Sequence, residues 1–226
     1  MKPIYTIILL LMFSLTSNSQ DYRHNIGLKI LPGLTKGATV GLKHQGEKFD
    51  SLRIARGNIN AGMSYIYNIN EFMSIESGIY YTNRGGIIKN VYKSLTIENQ
   101  FIVGNFDIYC YDYYITFPLL FRSNFNSFYT SVGPTFGYNF LRESITQPYS
   151  HVESNNWQQY PFIYNFSLGI DLNIGAKIKI SDRTNINLEA SYEFSNLKFD
   201  KPNRPYYYNN FEFGIGFNYS FKKKDK

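Results

Sequence analysis

The chain has 226 residues, a formal net charge of +6, one cysteine and an 18% share of aromatic residues, with 21 Tyr and 19 Phe. A single cysteine excludes an intramolecular disulfide, and no apolar stretch beyond residue 20 reaches the roughly 20 residues of a spanning helix. The mean hydropathy of −0.30 does not exclude a membrane β-barrel, whose polar lumen cancels its lipid-facing side chains in any average.

Residues 1–19 stand apart. Lys2 precedes an apolar run from Ile7 to Leu15, and Ser17 and Ser19 follow with the spacing of small residues before a cleavage site. This three-region pattern predicts a secretory signal peptide cleaved before Gln20, since the apolar run is too short for an anchor.

From there the chain alternates with a period of two, the signature of β-strands that present one set of side chains to each face. The first apolar face is Ile26, Leu28, Ile30, Pro32 and Leu34. The second runs from Ile59 to Tyr67, the third from Met73 to Tyr81 and the fourth from Tyr109 to Phe121. The fifth spans Phe128 to Tyr138, the sixth Phe162 to Ile178 and the seventh Ile186 to Phe194. The eighth, in NFEFGIGFNYSF, sets Phe211, Phe213, Ile215, Phe217, Tyr219 and Phe221 against Asn210, Glu212, Gly214, Gly216, Asn218 and Ser220. The opposite faces carry Lys29, Glu76, Asp112, Arg122, Asp171, Lys177, Glu189, Glu193 and Glu212. Alternation this long suits strands that cross a bilayer, which need about 9–11 residues.

The connections alternate too. Asn68–Glu71, Arg122–Ser127 and Ile180–Asn185 are short and rich in Asn, Asp and Ser, as tight turns require. Residues 35–57, 83–107, 141–161 and 195–209 are long. Short periplasmic turns and long extracellular loops belong to outer-membrane barrels. The expectation is an all-β, eight-stranded antiparallel up-and-down transmembrane β-barrel over residues 20–221, with four long outer loops and a basic periplasmic tail at 222–226. It places the protein in a Gram-negative outer membrane. A soluble lipid-binding barrel, with its apolar face turned inward, is the alternative at the level of fold.

Eight strands leave an interior just wide enough for side chains to fill. The lumen charges therefore read as a paired polar plug, with Glu189, Glu193 and Asp171 meeting Lys177, Arg122 and Lys29. Tyr109, Tyr111, Tyr113 and Tyr206–Tyr208 are expected at the outer interface; strand propensity alone also accounts for them. Pro118 and Pro134 read as bulges or bends, since proline removes a ladder donor.

The stretch YYITFPLLFR, Tyr113 to Arg122, is similar to a strand of the PorT-like outer-membrane β-barrel proteins, and SFYTSVGPTFGYNF, Ser127 to Phe140, resembles the strand that follows it in that family. The resemblance covers the mature chain and implies a small eight-stranded, porin-family-like barrel; it implies no particular activity, although one member is associated with protein secretion. Gly216, Tyr219 and Phe221 resemble the terminal signal read by barrel-insertion machinery, except that KKKDK follows.

No chemistry is legible. His24, His44 and His151 are scattered, no HExxH or metal-ligand spacing occurs, and Ser150, His151 and Ser154 are only loop neighbours. No catalytic, cofactor-binding or metal-binding residue is assigned, no cofactor is expected, and the protein is read as no enzyme. Cys110 reads as a small inward residue. Basic residues gather in the first two outer loops: Lys36, Lys43, Lys48, Arg53, Arg56, Arg84, Lys89 and Lys93. They fit either contact with lipopolysaccharide phosphates or a solvated surface. Expected partners are membrane lipid, the insertion machinery and an envelope protein; nucleic acid is not one. The functional expectation is a structural or interaction barrel of scaffold or adhesion type with a filled lumen. The alternatives are a subunit or assembly factor of an envelope secretion system and, below that, a lipid-active enzyme or narrow channel.

Overall fold

A computed structural model describes residues 22–39, 43–44, 47–48, 53–97, 100–148, 156–159, 166–197 and 206–222. The expected signal peptide and the tail beyond Lys222 lie outside the described residues, as do His151 and its serine neighbours.

Among the described residues, beside a few strands of two to four residues, eight long strands build the main sheet: β1 (Tyr22–Thr39), β2 (Arg56–Asn68), β3 (Met73–Ile97), β4 (Gln100–Phe125), β5 (Phe128–Pro148), β6 (Phe166–Lys179), β7 (Thr184–Leu197) and β8 (Tyr206–Lys222). Each pairs antiparallel with its sequence neighbours, and β8 pairs with β1, for example Ile215 with Ile30, so the sheet closes into a ring. Closure leaves no strand edge in the ring, which is what hydrocarbon demands.

The three tight turns form where expected. Asn70 Oδ1 accepts from the backbone N–H groups of Phe72 (2.9 Å) and Met73 (2.8 Å), a side-chain-built turn. Asn126, with φ 52°, turns β4 into β5 in the left-handed region that Asn tolerates. Ser181 Oγ accepts from the Arg183 N–H in the turn between β6 and β7.

The sides of the sheet follow the alternation. Among the described residues, 38 large apolar or aromatic side chains are exposed and only 10 are buried, and the exposed set includes every odd position from Phe211 to Phe221. Water would not tolerate so large a continuous apolar surface. Lipid removes the exposed part of these side chains from water, a gain of about 25 cal/mol per Å² of apolar surface.

Several expectations change. β1 begins at Tyr22, so His24 lies within it, where its ring nitrogen meets the Tyr65 hydroxyl at 2.7 Å. The second long connection is mostly strand, because β3 runs to Ile97 and β4 starts at Gln100. Beyond Asn83 charged and apolar side chains share the buried face, which holds Arg84, Ile88 and, on β4, Phe106, so the apolar alternation fades while the hydrogen-bonded ladder continues. Neither proline carries a bulge. Pairing stops for two residues opposite each, between Gly78–Ile79 and Phe117–Pro118 and between Leu119–Leu120 and Gly133–Pro134, then resumes in the same register. The register shifts fall instead at Ile88/Val91 and Tyr113/Tyr114.

Candidate functional site

The candidate site is the interior. Inward side chains build it in three layers from the turn end to the opposite, loop end.

The layer nearest the turns centres on Lys29. Its neighbours in register on β2 and β8 are Gly62 and Gly216, and a Cβ on Gly216 would lie 3.1 Å from the Lys29 Cγ, so the small neighbours give the long side chain room. The Lys29 ammonium donates to Glu76 and, at 2.7 Å, to Glu189. Glu76 also accepts from Arg122 Nη1 at 3.0 Å. The Tyr129 hydroxyl donates to Glu189 at 2.5 Å, and the Arg122 guanidinium stacks 3.4 Å over the Tyr129 ring. That ring lies across Gly175, where a Cβ would come within 2.3 Å of it. Lys177 donates to Asn124 Oδ1 at 2.6 Å. Lys29, Glu76, Arg122 and Glu189 are each 3% exposed or less, so each charge needs its partner.

In the middle layer Arg84 pairs with Glu193, whose second oxygen accepts from Asn210 Nδ2 at 2.8 Å. Glu212 accepts from Asn58 (2.7 Å) and Asn60 (3.0 Å). Asp171 accepts from the Thr135 hydroxyl at 2.5 Å. At the loop end Arg142 clamps Asp112 through Nε and, at 3.1 Å, through Nη2, and the Tyr208 hydroxyl donates to the same carboxylate. Arg56 donates to the Cys110 carbonyl at 3.0 Å and lies 3.9 Å from the Tyr111 ring centre.

Charges that alternation assigned to one face do meet inside, but only partly as expected. Glu189 meets Lys29. Glu193 instead meets Arg84, Arg122 meets Glu76, Lys177 meets an amide, and Asp171 meets a hydroxyl. Alternation places Arg84 in a loop, yet it is fully buried, because β3 continues past Tyr81 and keeps even positions inward. Tyr208 is likewise buried rather than interfacial, since it shares the face of Asn210 and Glu212. Of the basic loop residues, Lys36 and Lys89 are exposed; the side chains of Lys43, Lys48, Arg53 and Lys93 lie outside the described residues.

A closed ring of long strands, apolar outside and ionic inside, is a membrane barrel. The sequence of residues 13–198 matches the family described as outer membrane protein beta-barrel domain. The chain belongs to this family. It is therefore an outer-membrane protein, its short turns periplasmic and its long hairpins extracellular. Among solved structures it is similar to the attachment invasion locus protein Ail of Yersinia pestis, at 13% identity over 87% of this chain and 99% of that one, with a TM-score of 0.40. It is also similar to OprG of Pseudomonas aeruginosa (12% identity, 89% and 98% coverage, TM-score 0.44). A third similar structure is Neisserial surface protein A (12%, 87% and 97%, TM-score 0.38). No curated protein matches the sequence.

Proposed function

We propose that this protein is a structural and interaction barrel of the outer membrane, closed to solutes and without catalytic activity, whose extracellular hairpins make the functional contacts. The observation that carries the reading is the filled lumen. Ion pairs lie at three depths: Arg84–Glu193 spans the interior from β3 to β7, Lys29–Glu76 links β1 to β3, and Arg122–Glu76 and Arg142–Asp112 join neighbouring strands along the lumen wall. A conducting pore would have to break buried pairs of this kind, each costly to separate. The expense of ordering such long strands at the loop end supports contacts there: β3 and β4 run 25 and 26 residues, far beyond the span of a bilayer. Lys36, Lys89 and the Tyr81–Tyr113–Phe140 ring cluster suit lipopolysaccharide phosphates and the membrane interface. β8, which completes the ring against β1, is the strand for insertion machinery to recognise. Within the family we place the chain with the PorT-like barrels, on the stretch Tyr113–Arg122.

The test is conductance of the refolded protein in planar bilayers, beside a deletion strain whose secreted and periplasmic proteins are compared with the parent. No steady conductance and an unchanged secretome support the interaction barrel. Stepwise openings overturn the closed lumen, and cargo retained in the periplasm favours the secretion role.

A further inference from the structure

The middle layer of the lumen is not balanced. Asp171 and Glu193 are direct cross-strand partners on β6 and β7, and Glu212 joins them from β8, opposite Ser191 of β7. Like charges placed opposite one another repel. Arg84 is the guanidinium of this layer, and it is committed to Glu193. Three carboxylates thus share one cation. Lys29 faces the same space from below, but its charge is already taken by Glu76 and Glu189.

A cavity of about 20 Å³ lies here, with Asn60, Thr135, Asp171, Asn173, Ser191 and Glu193 among its lining residues. That volume accommodates a single water-sized species. Three buried side-chain atoms among its lining residues have no hydrogen-bond partner: Asn60 Oδ1, Asp171 Oδ1 and Asn173 Oδ1. Asn173 is only 8% exposed. The Asn60 oxygen is fixed as such, because its amide nitrogen donates to Glu212. All three atoms are acceptors. Unsatisfied buried acceptors carry a desolvation cost, and a water molecule brings two hydrogens for three oxygens. A small cation held in the cavity these residues line would draw on their lone pairs and offset the excess negative charge as well. Asn60 comes from β2 and the other two from β6, opposite sides of the ring, so one ion would tie the barrel across its middle. Among the described residues no three His, Cys, Asp or Glu side chains converge as a metal-ion group. A donor set of one carboxylate and neutral amide oxygens suits a hard ion of low charge.

We infer that the cavity between Asn60, Asp171 and Asn173 binds a small monovalent cation such as sodium, with Asp171 as its charged ligand. Binding to the folded state alone stabilises it in proportion to the logarithm of ion concentration above the dissociation constant. The experiment is urea unfolding of the full mature chain refolded in lipid vesicles, in sodium chloride against choline chloride at equal ionic strength and pH. The wild-type midpoint should rise with sodium and not with choline. Asp171→Asn keeps an acceptor for Thr135 and should fold, with the sodium response lost. An equal response to choline overturns the site, as does a sodium response that survives in Asp171→Asn. A midpoint that responds to pH but not to sodium puts a proton on Asp171 and also overturns it. Should Asp171→Asn fail to fold, the sodium NMR linewidth of the wild type decides. Broadening by the folded protein that disappears on unfolding supports the site; no broadening overturns it.

Discussion

Replacing Glu76 by Ala removes the carboxylate shared by Lys29 and Arg122. The two consequences differ. Lys29 keeps Glu189 at 2.7 Å, whereas Arg122 loses the carboxylate that its Nη1 contacts at 3.0 Å. The Nε and Nη2 atoms of Arg122 already lack partners, and the side chain is 1% exposed, so water cannot replace the lost contact. Surface pairs are worth about 0–1 kcal/mol, but removing one partner of a buried pair costs about 3–5 kcal/mol. The larger range applies, reduced somewhat because only one of the two cations is orphaned. The assay is urea unfolding in lipid vesicles, followed by far-UV circular dichroism. A double variant, Glu76→Leu with Arg122→Met, removes both charges and should recover more than half of the loss. A loss below about 1 kcal/mol for Glu76→Ala, typical of exposed pairs, would show that the lumen is hydrated and refute the reasoning.

Other perturbations have equally definite outcomes. Leu172→Arg places a charge on the lipid face, where Leu172 is 52% exposed, and should cost about 2–4 kcal/mol in the same unfolding assay. Tyr129→Phe deletes the hydroxyl that donates to Glu189 and should cost about 1–3 kcal/mol. Gly175→Val drives a side chain into the Tyr129 ring and should slow or abolish folding, read by heat-dependent gel migration. In the periplasmic turn, the hydrogen bond and charge of Lys179 hold the Asp182 carboxyl below the usual carboxylate range. A depressed carboxylate contributes above its unfolded pKa and loses that contribution as pH falls through the folded one. Lys179→Ala should raise the Asp182 titration midpoint in NMR, with little effect on unfolding because the pair is exposed.

Much of the barrel is legible in the residues because a barrel wall separates lipid from a polar interior. Alternation at Phe211–Phe221 and Ile170–Ile178 reports that separation directly, and Asn70 and Asn126 mark turns through their own local chemistry. Where charged and apolar residues share the buried face, as Arg84 and Ile88 do, the signal fails, and so residues beyond Asn83 read as loop although β3 continues to Ile97. The same failure hid Arg84 and Tyr208, whose inward direction follows only once the strand is known to continue. The ion pairs were illegible for another reason. Alternation assigns a residue to a face but not to a height, and height is set by the stagger between strands. Stagger brings Lys29 level with Glu76 and Glu189, and Arg84 level with Glu193.

The most direct test of the barrel and its plug is a spin-label scan along Phe211–Phe217 in a Cys110→Ser background, with the protein in lipid vesicles. Labels at 211, 213, 215 and 217 should be quenched by oxygen dissolved in the bilayer and shielded from a water-soluble relaxing agent. Labels at 212, 214 and 216 should be immobilised and inaccessible to both. Odd positions open to the aqueous agent would contradict a lipid-facing exterior, and even positions open to it would contradict a filled lumen.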